Sequence, residues 1–169
     1  MSEVAGRIPG LLRGRRAVLV GVGNPLRGDD GVGSLLARRL VARGAGRVLD
    51  AETVPENFLG TLLEDPADLI LLVDAVEQGA RPGTCCMGPA RILGERCSST
   101  HAPSLLLMAR MLEARRKEVW LLGIQPGSTE IAAPLSEPVR AAASALGEAL
   151  VHALCPGGVA TEMISEVTL

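Results

Sequence analysis

At 169 residues the chain fits one domain, able to bury about 70% of the surface its unfolded form exposes. Its 17 basic and 19 acidic residues leave a net charge of -2, which offers nothing to a polyanion and excludes nucleic acid as a partner; Phe58 and Trp120 are too few aromatics to stack on bases or sugars. No run approaches the roughly 18 apolar residues of a membrane span and none near the start has signal-peptide form, so a cytoplasmic protein without membrane association is expected.

Residues 1–16 mix Gly, Pro and Arg and read as an N-terminal lead-in, loose or briefly helical. One domain is expected over 17–155, followed by a tail over 156–169. Ala17 to Gly23 is a continuous apolar run with the short length of a buried strand. Val32, Leu35, Leu36, Leu40 and Val41 then recur with helical spacing. A short strand from Arg47 precedes Thr53-Val54-Pro55-Glu56, which has the form of a capping box and predicts a helix over about 54–64. Leu69 to Asp74 is apolar on both faces, as a covered central strand requires.

Gly83 to Ile92 reads as a weaker strand at an edge, Ser104 to Arg115 as a helix, and Val119 to Ile124 as the last buried strand. After a loop over 125–134, Val139, Ala142, Ala143, Leu146, Leu150 and Ala153 mark one stripe of a helix over 136–154, with His152 well off it and solvated. Strands alternating with helices predict an α/β three-layer α/β/α sandwich, mostly parallel, with a sheet of about five strands. Cys85, Cys86, Cys97 and Cys155 include no C-x-x-C pair and read as reduced thiols, Cys85 and Cys86 facing opposite sides of a strand.

The densest signal is Gly21-Val22-Gly23-Asn24-Pro25-Leu26-Arg27-Gly28-Asp29-Asp30-Gly31-Val32-Gly33, a glycine-rich loop leaving a strand with two carboxylates at the mouth of a helix. Asp74 closes the central strand, and His101 follows the polar stretch Cys97-Ser98-Ser99-Thr100. Ligands collect at the carboxyl ends of strands in open α/β sheets, where all three fall. Each alone has an ordinary reading: a helix cap for Asp29 or Asp30, a turn for Asp74, a structural imidazole for His101. Together they form a set suited to a divalent first-row metal, zinc or nickel by ligand type. Leu26 stands where the third glycine of G-x-G-x-x-G belongs, and a pyrophosphate would meet two carboxylates, so nucleotide binding is not expected. Asn24 is a candidate to brace the turn and Asp29 to support Asp30, by capping or orienting; the loop over 125–134 is a candidate to grip substrate.

That opening loop, with Val73-Asp74-Ala75 and Ser99-Thr100-His101, resembles the maturation endopeptidases of nickel-iron hydrogenases. Val54-Pro55-Glu56-Asn57 and Leu122-Gly123-Ile124-Gln125-Pro126 look most like the branch that processes formate-hydrogenlyase or coenzyme-reducing hydrogenases. The resemblance implies a twisted mixed sheet flanked by helices, and a protease that removes a C-terminal extension from the hydrogenase large-subunit precursor after nickel insertion. It carries the metal-contacting and catalytic positions onto Asp30, Asp74 and His101, with the nickel presented by that precursor. Relatives tend to have small residues, often a glycine pair, before Thr53; here Ala51 and Glu52 stand there. The competing readings are a hydrolase of another substrate holding its own metal, and a non-catalytic nickel-binding chaperone.

Overall fold

The computed structural model describes residues 3–155, so the expected tail over 156–169 lies outside the described residues. Strands and helices follow as α1 (Glu3–Leu12), β1 (Ala17–Val22), α2 (Val32–Ala42), β2 (Val48–Glu52), α3 (Leu59–Glu64), β3 (Leu69–Ala75), β4 (Cys85–Pro89), α4 (Ala90–Arg96), α5 (Ala102–Ala114), β5 (Glu118–Ile124) and α6 (Glu137–Leu154). The strands form one sheet in the order β2-β1-β3-β5-β4. All pairings are parallel except β4 with β5, which is antiparallel. This is the mixed, mostly parallel sheet of an α/β sandwich.

Every residue of β1 and β3 is buried, because these central strands are covered on both faces. Alternation divides their side chains between two cores. Leu19, Leu71, Val73 and Leu122 pack with α1, α2 and α6; Val18, Val20, Ile70, Leu72 and Leu121 pack with α3 and α5. By the same period of two, Asp74 falls on the α5 side of the sheet, at its carboxyl edge.

Two local expectations are corrected and one is decided between its alternatives. Of the loose and briefly helical readings of the segment ahead of residue 17, the helical one holds: α1 buries Val4, Ala5, Ile8 and Leu12 in the core shared with α6. Thr53 forms no capping box; a 3-10 turn over Pro55–Phe58 has no side-chain cap, and the helix starts only at Leu59. The strand expected to run to Ile92 stops at Pro89, which lacks the N–H a ladder needs and opens α4. Its edge position is as expected.

Gly33, in the first turn of α2, lies against the strands. A Cβ there would sit 2.2 Å from the Val73 carbonyl oxygen and 2.4 Å from that of Val22. That closeness sets the loop between β1 and α2 directly on the edge where β3 ends. Among the described residues, no helix is long and apolar enough to cross a membrane.

Candidate functional site

Three loops meet at the carboxyl edge. After β1 the chain turns at Gly23, with φ 131°, where a Cβ would fall 1.8 Å from the Asp30 carbonyl oxygen; only glycine allows the loop to close on itself. Asn24 Oδ1 accepts from the Leu26 N–H at 3.0 Å, and the Asn24 N–H donates to Asp30 Oδ2 at 3.1 Å. Asp30 is therefore held by its own loop, 6% exposed.

Asp29 and Asp30 share a 3-10 turn over Gly28–Gly31, and neither caps α2, whose cap position is Gly31 with no side-chain bond. Asp29 instead reaches across the molecule. Its Oδ1 accepts from the Ser136 N–H at 2.6 Å; its Oδ2 accepts from Gly127 N–H at 2.7 Å, Ser128 N–H at 3.0 Å and the Ser136 hydroxyl at 2.7 Å. Burial works against the charge, yet these donors hold the Asp29 carboxyl below its ordinary range.

Asp74 is fully buried. Its Oδ1 accepts from the Ala75 N–H at 2.9 Å and lies 3.4 Å from His101 Nδ1; its Oδ2 is buried with no hydrogen-bond partner. A buried carboxylate oxygen without a donor is costly, and a cation beside it would offset that cost. Burial pushes the Asp74 carboxyl up, opposed by His101. The contact with Asp74 in turn raises the basicity of His101 against the effect of burial.

His101 occupies the cap position of α5, with its N–H donating to Ser99 Oγ at 3.2 Å. Thr100 Oγ1 donates to Asp30 Oδ1 at 2.8 Å and lies 3.3 Å from His101 Nδ1. The fold thus assembles the three residues singled out in the sequence: Asp74 touches His101, and Thr100 links His101 to Asp30. Among the described residues, no three carboxylate, imidazole or thiol groups already form a metal-holding cluster. The donors suit a divalent ion by chemistry, two carboxylates and an imidazole with one carboxylate oxygen unused.

Thr100 and Ser136 carry contacts that the sequence reading passed over. The clue for Thr100 was its place between Ser99 and His101 ahead of a helix; Ser136 offered only its position as a helix cap. The loop over 125–134 divides in two. Gln125 is turned inward, accepting from the Gln78 and Ala80 N–H groups and donating to Glu77, while Ile131 at the tip is 78% exposed. His152 is exposed, as expected.

A family model described as HycI, hydrogenase maturation protease, matches residues 31–153. The hydrogenase 3 maturation protease of Escherichia coli (strain K12) is 32% identical over 152 residues, covering 88% of this chain and 97% of that protein. The crystal structure of a [NiFe] hydrogenase maturation protease HycI from Thermococcus kodakarensis superposes with a TM-score of 0.77 at 32% identity, over 88% of this chain and 98% of that one. The hydrogenase maturating endopeptidase HybD from E. coli superposes with a TM-score of 0.70 at 25% identity, over 85% and 94%.

Proposed function

This chain belongs to the hydrogenase maturation protease family, and from that premise we propose that it removes the C-terminal extension of a nickel-iron hydrogenase large-subunit precursor after nickel insertion, with Asp30, Asp74 and His101 meeting the precursor's nickel. That the chain is an endopeptidase follows from the family; the nickel and the residues that meet it are our reading. The observation that carries it is the unpartnered, buried Asp74 Oδ2 beside His101, joined to Asp30 through Thr100.

Two carboxylates and an imidazole, with Asp74 Oδ2 left without a donor, suit a divalent ion that brings further ligands of its own. Nickel presented in this way brings Lewis-acid polarisation of the scissile carbonyl or activation of a water. The chain's own part is to dock: Asp30 and Asp74 supply negative charge, and His101 a neutral nitrogen. Each lost contact costs about 1.4 kcal/mol or more, a tenfold loss of affinity. A precursor without nickel lacks what these side chains recognise and is passed over. Four unpaired cysteines among the described residues suit a cytoplasmic setting.

The test is the intact mass of a large-subunit precursor, with and without inserted nickel, before and after incubation with the protein. Loss of one C-terminal fragment from the nickel-loaded form alone is expected. Cleavage irrespective of nickel, with about one equivalent of metal in the protein as purified, would overturn the substrate-nickel reading. An unchanged mass for a loaded cognate precursor would leave a chaperone in place of a protease.

A further inference from the structure

We propose that Thr100 is a positioning residue, its hydroxyl donating to Asp30 Oδ1 and accepting from His101 Nδ1–H, so that neutral His101 is held in the Nδ1-protonated tautomer and offers Nε2 to the substrate. The assignment of Nε2 as the substrate-facing nitrogen rests on the reading of His101 given above; the tautomer itself does not.

The inference follows from counting protons. A threonine hydroxyl has one proton and two lone pairs. Thr100 Oγ1 faces the Asp30 carboxylate at 2.8 Å and His101 Nδ1 at 3.3 Å. A carboxylate oxygen accepts, and the shorter contact to a charged acceptor takes the single proton. What Thr100 presents to the ring is then a lone pair, which attracts Nδ1 only if that nitrogen bears hydrogen. Asp74 Oδ1 at 3.4 Å places a second acceptor against the same nitrogen. With acceptors on two sides, an unprotonated Nδ1 would face repulsion from both, so the ring proton sits there and Nε2 keeps its lone pair. A metal-binding histidine is oriented in this way by the hydrogen bond its other nitrogen makes.

Thr100 also ties two loops together. Asp30 belongs to the loop after β1 and His101 to the segment before α5, 71 positions apart; among the described residues no other hydrogen bond joins Asp30 to that segment. The Thr100 residue is exposed, so its removal leaves the core untouched.

The chain has two histidines, and exposed His152 serves as an internal reference, which makes the test direct. Long-range 1H–15N correlation spectra of the 15N-labelled full chain are recorded at a pH where the rings are neutral. Wild type is expected to show His101 protonated at Nδ1. Thr100→Val, which keeps the shape and removes the hydroxyl, is expected to give a tautomer mixture and at least a tenfold fall in precursor cleavage; Thr100→Ser restores both. A wild-type His101 protonated at Nε2, or a Thr100→Val spectrum identical to wild type, overturns the proposal. An unchanged Thr100→Val spectrum would do so whatever the precursor assay shows, and a wild type that never cleaves a loaded precursor would count against the functional reading alone.

Discussion

Asp29 accepts four hydrogen bonds from Gly127, Ser128 and Ser136, while Asp30 accepts from Asn24 and Thr100, so alike substitutions at neighbouring positions have unlike consequences. Asp29→Ala leaves several buried or half-buried donors unmet and is expected to cost about 2–4 kcal/mol in urea unfolding. Asp30→Asn keeps the shape and the bond from the Asn24 N–H, while the Thr100 hydroxyl must turn to accept from the new amide; stability should fall by no more than about 1.5 kcal/mol while precursor cleavage falls at least tenfold. Both carboxylates were legible in the sequence as a pair at a helix mouth. Their division of labour was not, because Asp29's partners lie about a hundred positions downstream and nothing local distinguishes the two acids. Thr100 was hidden for a similar reason: a hydroxyl's role depends on what stands opposite it. Cys86 gives a pH prediction at the same scale. Burial, reinforced by the nearby Cys97, pushes its thiol up to about 11. At pH 8 only roughly one part in a thousand is thiolate, so iodoacetamide followed by mass analysis should find it modified far more slowly than a free cysteine.

Among the elements, the strands were legible because β1, β3 and β5 are continuous apolar runs of strand length, and α6 because its stripe repeats cleanly. The end of β4 was readable in principle from Pro89, but the apolar residues beyond it, Ala90 and Ile92, masked the stop. α1 was underread because Gly6, Pro9 and Gly10 weaken helix propensity; its helix is held by burial of Val4, Ile8 and Leu12 instead. Ile8 is fully buried, so Ile8→Ala should cost about 2–5 kcal/mol by urea unfolding even though it lies ahead of the domain expected over 17–155. Glu52 takes the left-handed conformation at φ 47°, a region that favours glycine and is strained for a residue with a side chain. Its carboxylate pairs with Arg38 at 2.6 Å.

For the whole molecule, alternation of strands and helices made the sandwich legible, but strand order and the direction of β4 were not argued from it. Residues 76–84, between β3 and β4, contain no helix, and so short a link cannot return the chain for a parallel pairing. Both cores lie on one sheet and α1 packs on α6, so unfolding should be a single transition. The lone Trp120, half-buried on β5 beside the edge strand β4, reports on the sheet, and helices report by circular dichroism; their urea midpoints are expected to coincide, whereas an earlier helical transition would mean that α1 melts separately. The bond network of Asp29 also has a kinetic signature. Gly127, Ser128 and Ser136 lie outside every helix and strand, where amide protons ordinarily trade with solvent quickly, yet each gives its proton to a fully buried carboxylate. Those three amides should exchange with deuterium as slowly as core strands do, making an irregular stretch of chain a protected island.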